Sequence, residues 1–259
     1  MKIAIVTGAG NGMGKEFAKR LDEQNLDEIW AIALHIDGLI DLKNSIKTPV
    51  KTFALDLTKE ESFDVLEKEL NDLNPDIKWL VNAAGYAKFN SCENIKTETS
   101  LNMIDLNVKA MVKMTDLALK FMKKGARIVD TSSIAGFQPV PYLCVYSATK
   151  AFVLSYARAL NYELKYRGIS VTCVCPYWTK TKFFERAVMG DEKVIKKFIV
   201  MYDAQKVINR AYKDSIKRKR LSLYGFVSKV QVFLTKLLPA SLICKIWLKQ
   251  QKLTKFGEK

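Results

Sequence analysis

The chain has 259 residues, of which 49% are hydrophobic and 10% aromatic, a composition that supports a buried core and argues against intrinsic disorder. Nearly all of its net charge of +15 lies in residues 182–259, where 19 Lys and Arg outnumber 6 Asp and Glu. A single histidine, His35, and five cysteines without a C-x-x-C pair argue against a metal site or a histidine-based triad.

We expect neither a signal peptide nor a membrane-spanning helix. The apolar run in Met1–Ala9 is too short for a signal peptide, and lysines interrupt the apolar carboxyl-terminal region every seven to nine residues. The cysteines are predicted to be reduced thiols, as in the cytosol. The predicted location is the cytoplasm, with a peripheral membrane contact as an alternative.

Short apolar runs alternate with longer helical patterns along the first 180 residues. Strands are predicted at 2–6, 28–34, 52–55, 78–85, 126–133 and 169–176. Helices are predicted at 13–24, 61–73, 101–122 and 151–168, the last closed by Gly168. This alternation predicts βαβ units and a doubly wound parallel sheet of the Rossmann type.

A glycine-rich loop follows the first predicted strand. Thr7, Gly8, Gly12 and Gly14 have the spacing T-G-x3-G-x-G and open the first helix. Such a loop lets the backbone approach a pyrophosphate and aims a helix N-terminus at its negative oxygens. The context of strand, loop and helix therefore predicts a dinucleotide site. No Gly-Lys-Ser/Thr follows, which argues against a P-loop.

The loop and later motifs resemble the short-chain dehydrogenase/reductase family over residues 1–225. The motifs come in the family's order, namely DLT at 56–58, NAAG at 82–85, IDLNVKA around Asn107, SSIAG around Ser133, and VYSATKAF with Tyr146 and Lys150. A second Y-x-x-x-K pair, Tyr202 and Lys206, shows that this spacing alone carries no signal. Ser133 precedes Tyr146 by thirteen residues, whereas Met189 holds that position before Tyr202. We interpret the second pair as incidental, on a surface helix.

The resemblance implies four catalytic residues. Tyr146 exchanges a proton with the substrate oxygen, and Ser133 hydrogen-bonds the same oxygen. Lys150, one helical turn away, is expected to lower the pKa of Tyr146 from its usual value of ~10 and to hold the nicotinamide ribose. Asn107 holds a water that links Lys150 to solvent.

The resemblance also implies a set of cofactor contacts along the chain. The residues are Gly8, Gly12, Met13 and Gly14 at the pyrophosphate, Asp56 and Leu57 at the adenine, Asn82, Ala83 and Gly85 at the floor, Tyr146 and Lys150 at the ribose, and Thr179 and Thr181 at the carboxamide.

The end of the second strand favours NADP over NAD. Ala33 stands where NAD-dependent enzymes place an acid on the ribose 2′-hydroxyl, and Asp37 comes later in the chain. Leu34 and His35 occupy the positions where an arginine often follows in NADP-dependent enzymes. Lys15, next to Gly14, is a candidate partner for the 2′-phosphate. NADP is therefore the expected cofactor, with NAD as the alternative.

Residues 182–202 are predicted to form a substrate lid. The loop 137–144 is expected to contribute to its apolar wall, as is Tyr177, which stands where the family more often has glycine after proline. The candidate wall residues are Phe183, Phe184, Met189, Phe137, Tyr142, Leu143 and Tyr177. This lining favours a bulky apolar ketone or alcohol.

Residues 226–259 are predicted to form a basic amphipathic helical extension. Apolar residues recur at helical spacing from Phe226 to Leu238, Pro239 breaks the run, and Leu242 to Trp247 restart it, with lysines throughout. Three interpretations stay open, namely packing on the enzyme or a second subunit, contact with an anionic membrane through 226–252, and docking of an acidic carrier protein or anionic ligand. Nucleic acid is not expected, because no recognition motif accompanies the charge.

The predicted function is an NADP(H)-dependent oxidoreductase that interconverts a secondary alcohol and a ketone, with a hydroxysteroid or bile acid as the preferred substrate. A 3-oxoacyl thioester of lipid metabolism is the alternative substrate. A non-catalytic, membrane-associated dinucleotide-binding protein is the alternative of another class. We expect a homo-oligomer, either a dimer or a tetramer.

Overall fold

Parallel strands form the centre of this computed structural model, which describes residues 1–188 and 194–253. The strands are β1 (Lys2–Thr7), β2 (Glu28–Ala33), β3 (Val50–Ala54), β4 (Asp76–Asn82), β5 (Arg127–Thr131), β6 (Ser170–Val174), β7 (Thr179–Lys180), β8 (Tyr202–Asp203) and β9 (Leu221–Ser222). Seven of them form one sheet in the order β3-β2-β1-β4-β5-β6-β9, and β7 pairs with β8. This order confirms the predicted doubly wound Rossmann-type sheet.

Helices cover both faces of the sheet. They are α1 (Gly12–Leu21), α2 (Asp37–Lys43), α3 (Glu60–Leu73), α4 (Thr97–Ile104), α5 (Ala110–Leu119), α6 (Cys144–Glu163), α7 (Phe183–Ala187), α8 (Ala204–Ile216), α9 (Phe226–Leu237) and α10 (Ala240–Gln251). Because helices bury both faces, the inner strands are continuous apolar runs, and Ile3 to Val6 are fully buried. Separate apolar clusters fill the two sides of the sheet.

The predicted strands are confirmed, but two predicted helices differ in detail. The predicted helix at 101–122 starts at Thr97, and a π turn at Asp105–Lys109 separates α4 from α5. A π turn inserts one extra residue into the helix, which residue periodicity does not reveal. The helix predicted at 151–168 starts at Cys144, so it includes Tyr146 and Lys150. A short 3₁₀ turn ends it, and Gly168 (φ +69°) is the left-handed cap that the sequence predicted.

The carboxyl-terminal region forms the predicted pair of helices, α9 and α10, separated at Pro239. The interpretation of Tyr202 and Lys206 as a pair on one helix is wrong, because Tyr202 lies in β8 and Lys206 in α8. Among the helices in the described part of the chain, none has the length and apolar character needed to cross a bilayer.

Candidate active site

A long cleft lies across the carboxyl ends of the central strands, where doubly wound sheets bind their ligands. Eleven of the thirteen predicted cofactor contacts line this cleft directly, namely Gly8, Gly12, Met13, Gly14, Asp56, Leu57, Ala83, Gly85, Tyr146, Lys150 and Thr181. Asn82 and Thr179 lie beside the cleft without lining it. The Thr179 hydroxyl donates to the carbonyl oxygen of Tyr177 at 2.9 Å.

The glycine loop is packed so closely against neighbouring backbone that it has no room for side chains at Gly8 and Gly14. Gly8 has a φ of +68°, and a Cβ atom on it would lie 2.8 Å from the backbone nitrogen of Ala84. A Cβ atom on Gly14 would lie 2.3 Å from the carbonyl oxygen of Gly8, far inside van der Waals contact. The loop therefore turns sharply over the N-terminus of α1, and its close backbone packing fits a bound pyrophosphate.

Polar side chains tie the ends of neighbouring strands together beneath the cleft. The Thr7 hydroxyl accepts hydrogen bonds from the backbone nitrogens of Ala83 at 3.1 Å and Ala84 at 3.2 Å. Asn82 donates to the carboxyl group of Asp130 at 2.9 Å. The buried Asn82 side chain thus links β4 to β5 beneath the cleft. Burial raises the pKa of Asp130 to about 6.

The part of the cleft next to β2 carries the groups that bear on cofactor choice. Ala33, Leu34 and His35 line it, as the sequence indicated. Lys15 instead lines an adjoining pocket, where its ammonium group lies 3.7 Å from the Asp41 carboxylate. Asp56 is held by its own turn, since it accepts from the backbone nitrogen of Thr58 at 2.9 Å.

The structure brings together the predicted catalytic side chains. Ser133 follows β5, and its hydroxyl accepts from the backbone nitrogen of Ala135 at 3.1 Å. Tyr146 and Lys150 lie one turn apart on α6, with the ammonium nitrogen 5.7 Å from the centre of the tyrosine ring. Lys150 donates to the carbonyl oxygen of Thr131 at 2.8 Å. All three side chains are buried.

Burial dominates the titration of these groups. It raises the pKa of Tyr146 to about 12, although the hydrogen bond with Ser133 acts in the opposite direction. It lowers the pKa of Lys150 to about 8, against the attraction of nearby groups that include Asp130. The net shift of the Tyr146 pKa is therefore upward, opposite to the direction expected from Lys150 alone. Loss of hydration destabilises the phenolate more than the hydrogen bond with Ser133 stabilises it.

Asn107 lies in the π turn between α4 and α5 and is buried. Its amide nitrogen donates to the carbonyl oxygen of Tyr86 at 2.9 Å and to the Thr149 hydroxyl at 3.1 Å. A Cβ atom on Gly85 would lie 2.8 Å from the Asn107 amide oxygen and 3.5 Å from the Lys150 ammonium nitrogen. Asn107 and Lys150 therefore both approach the backbone of Gly85.

A second cavity adjoins the cleft and contains Ser133 and Tyr146. Four predicted wall residues line it, namely Leu143, Tyr177, Phe183 and Phe184. Phe137 and Tyr142 are not among its lining residues, and Arg158 lies 5.3 Å above the Phe137 ring. The predicted wall residue Met189 lies outside the described residues. Met13 and Thr181 line both the cleft and the cavity, so the two spaces meet there.

Comparison with known proteins identifies the family and supports the fold. The sequence matches the short chain dehydrogenase family over residues 2–191. The chain belongs to this family. It is an oxidoreductase that acts on CH–OH or ketone groups with NADP or NAD.

Two relatives of this dehydrogenase have names that refer to lipid substrates. The very-long-chain 3-oxoacyl-CoA reductase of Bos taurus is 36% identical over 69% of this chain and 60% of the relative. The 17-beta-hydroxysteroid dehydrogenase type 3 of Rattus norvegicus is 33% identical over 69% of this chain and 60% of the relative. The alignments thus leave two fifths of each relative without a counterpart.

A solved relative supports the fold along nearly the whole chain. The short-chain dehydrogenase from Sphingobium yanoikuyae, in complex with NADPH, superposes with a TM-score of 0.76 and is 24% identical. The superposition covers 94% of this chain and 95% of the other. The shared fold therefore extends beyond the residues that match the family in sequence.

Sequence reasoning missed several side chains that shape this site. Trp178 and Trp247 line the cavity, as do three glutamines, Gln138, Gln231 and Gln250. Arg186 lines the cofactor cleft, with its guanidinium group 3.8 Å from the centre of the Tyr86 ring. Trp178 follows Tyr177 directly and belongs to the same recognisable loop. The residues of α9 and α10 had no local motif that could have indicated a cavity wall.

Proposed function

We propose that this dehydrogenase interconverts a secondary alcohol and a ketone on a bulky apolar substrate with NADP(H). The observation that supports this substrate class is the apolar lining of the cavity around Ser133 and Tyr146. Its walls are aromatic and aliphatic, with Trp178, Trp247 and Phe183 among them. Cavities with such walls bind apolar ligands, and a few placed polar groups orient them.

The four predicted catalytic residues take the following roles in the proposal. The Tyr146 phenol donates its proton to the ketone oxygen during reduction, and its raised pKa keeps that proton in place at neutral pH. The Ser133 hydroxyl hydrogen-bonds the same oxygen and orients it. The bound nicotinamide supplies or accepts the hydride. Lys150 holds the nicotinamide ribose, and Asn107 orders a water that connects Lys150 with solvent.

A neutral hydroxysteroid fits the cavity better than an anionic bile acid. None of the cavity-lining side chains within the described residues is an Asp, Glu, Lys, Arg or His. A carboxylate enclosed there would lose hydration without gaining an opposite charge, which is strongly unfavourable. The steroid class is also represented by the relative from Rattus norvegicus.

A 3-oxoacyl thioester is the second candidate substrate. The relative from Bos taurus is named for this activity, and an acyl chain would suit the same apolar walls. The basic surface of residues 182–259 would attract an acidic carrier or the phosphates of a thioester. A protein that binds a dinucleotide without chemistry is disfavoured, because the structure keeps Ser133, Tyr146 and Lys150 together.

Reduction of a ketone panel tests this proposal directly. We expect purified protein to oxidise NADPH with bulky steroid ketones or long-chain 3-oxoacyl-CoA. The kcat/KM for these should exceed that for acetone by at least about a hundredfold, because each buried methylene contributes about 0.8 kcal/mol. The measurement is the loss of NADPH absorbance with time. A preference for small polar ketones would contradict the proposed substrate class.

The same assay tests the choice of cofactor. We expect NADPH to be preferred over NADH, since β2 ends at Ala33 without an acid to bind the ribose hydroxyls. If Lys15 leaves Asp41 to bind the 2′-phosphate, Lys15→Met will raise the KM for NADPH about tenfold and leave NADH unaffected. Lys68→Met, on the exposed face of α3, is the matched control. An equal effect on both nucleotides would argue against this role for Lys15.

We also propose that the outer face of α9 and α10 contacts an anionic membrane surface. Large apolar side chains project from it, with Phe226, Phe233 and Leu237 exposed by 79%, 60% and 63%. Lysines accompany them at 229, 236, 245, 249 and 252, and residues 226–252 contain no Asp or Glu. This combination is typical of helices that lie in a membrane interface.

Charge favours an anionic membrane over a second copy of the chain. A symmetric pairing through this face would place five lysines of one copy against five of the other, which is unfavourable. The predicted homo-oligomer would therefore use another surface. The domain boundary at residue 225 remains a prediction, since Gln231, Trp247 and Gln250 of the extension line the cavity.

Sedimentation with vesicles tests the membrane contact in the full chain. We expect the protein to sediment with phosphatidylcholine vesicles that contain phosphatidylglycerol. Phe233→Ser with Leu237→Ser should weaken partitioning at least about tenfold, because each lost apolar side chain removes about 1.5–3 kcal/mol. Val65→Ser with Leu101→Ser, at exposed positions of α3 and α4, is the control. If the Phe233 and Leu237 substitutions left sedimentation with vesicles unchanged, the result would contradict the membrane contact and favour an acidic carrier protein instead.

A further inference from the structure

Three glutamine residues are part of the mainly apolar lining of the substrate cavity. Gln138 belongs to the loop after β5, Gln231 to α9 and Gln250 to α10. The other polar groups of the described lining are hydroxyls, indole N–H groups and backbone groups. Elements far apart in the sequence thus place neutral hydrogen-bonding groups in the space that contains Ser133 and Tyr146.

The position of α10 against the cavity is fixed by Trp247. Its indole nitrogen donates to the carbonyl oxygen of Pro141 at 3.0 Å. Its ring stacks on Trp178 with centroids 6.4 Å apart and an interplanar angle of 24°. Trp247 and Gln250 are three residues apart, so they share one face of the helix.

Gln251 attaches the end of α10 to the segment that was predicted to form the lid. Its amide oxygen accepts from the backbone nitrogens of Lys196 at 3.1 Å and Lys197 at 3.0 Å, and its amide nitrogen donates to the carbonyl oxygen of Lys197 at 2.8 Å. Gln251 is 1% exposed, so these bonds are sheltered from water. They restrain the turn of α10 that carries Gln250.

Gln231 and Gln138 are connected across the cavity wall. The Gln231 amide nitrogen donates to the Gln138 amide oxygen at 3.2 Å. Each side-chain amide has two donor hydrogens and an acceptor oxygen, so one bond leaves capacity on both groups. A ligand that displaces water from the cavity must satisfy that capacity or lose affinity.

We propose that Gln138, Gln231 and Gln250 form a second recognition site for an uncharged polar group of the substrate, such as a hydroxyl, ketone or amide, other than the reacting oxygen. The inference rests on the proposed function and narrows its substrate class. A carboxylate is disfavoured, because no cation lines the cavity within the described residues. The substrate is then a bulky apolar skeleton with two separate neutral polar groups.

Binding of three steroids to the full chain loaded with NADP⁺ tests this site. The ligands are 5α-androstane-3,17-dione and the two matching monoketones, and the signal is quenching of tryptophan fluorescence from Trp178 and Trp247. The dione should bind about tenfold more tightly than the better monoketone, as one additional hydrogen bond in an apolar site provides. In Gln231→Leu/Gln250→Leu protein this ratio should fall to near one.

Affinity for the monoketones reports whether the variant is folded, and it should stay near the wild-type value. Gln205→Leu, on α8, is the matched control and should retain the tenfold preference. A wild-type protein without preference for the dione overturns the inference, as does a variant that keeps the preference or weakens all three ligands equally. Absence of steroid binding overturns it too.

Failure of the proposed function is distinguishable from failure of this site. The former is loss of NADPH oxidation with every ketone of the panel, whereas the latter is a change only in relative affinities. Reduction of the dione without a preference in binding would leave the oxidoreductase proposal intact and remove the glutamine site.

Discussion

Tyr146→Phe is expected to lower kcat about a thousandfold, within the range that general acid catalysis contributes. The Tyr146 phenol is the proposed proton donor, and burial raises its pKa to about 12. At neutral pH it is therefore protonated and ready to donate during reduction. Phenylalanine keeps the ring and its contact with Phe183, whose centroid lies 5.7 Å away. The substitution thus removes the proton while preserving the packing.

The rate of a single turnover with saturating NADPH measures this effect without interference from product release. Affinity for NADPH should change less than tenfold, because Lys150 and the glycine loop remain. Tyr166→Phe is the matched control, since Tyr166 is 86% exposed on the far end of α6 and its adjoining turn. A Tyr146→Phe protein with wild-type turnover would overturn the assignment of Tyr146 as the proton donor.

The residues that line the cleft were predictable because the fold imposes a local sequence there. A tight turn between a strand and a helix requires glycines at 8 and 14, and one helical turn sets the spacing of Tyr146 and Lys150. Strand periodicity likewise indicated the central sheet. Such features depend on neighbours in the sequence, so they can be identified without the fold.

The substrate end of the site depends on packing between distant segments. Trp247 lies 101 residues beyond Tyr146 in the sequence, and its place in the cavity wall follows from contacts with Pro141 and Trp178. The sequence of residues 226–252 predicted helices, but it could not show that one face of these helices lines a cavity. The upward shift of the Tyr146 pKa was not predictable for the same reason, since burial is a property of the folded chain.

Gly14→Ala is expected to weaken NADPH binding about a hundredfold, as the loss of two charge-assisted hydrogen bonds would. Helix propensity alone predicts the opposite for stability, because alanine is favoured over glycine in a helix by about 1 kcal/mol. Packing outweighs that preference at this position. The new Cβ atom would lie 2.3 Å from the Gly8 carbonyl oxygen and 3.1 Å from that of Thr7. The loop must move, and its backbone donors then leave the pyrophosphate.

Titration of NADPH fluorescence measures the affinity, and thermal unfolding without nucleotide measures the stability. Gly125→Ala separates the two effects. Gly125 has a φ of +96° with nothing within 4 Å of its added Cβ atom, so alanine there strains the backbone without touching the cofactor cleft. It should lower the melting temperature and leave NADPH affinity unchanged. If Gly14→Ala weakened binding no more than Gly125→Ala, the close packing of Gly14 on Gly8 would not be what shapes the pyrophosphate site.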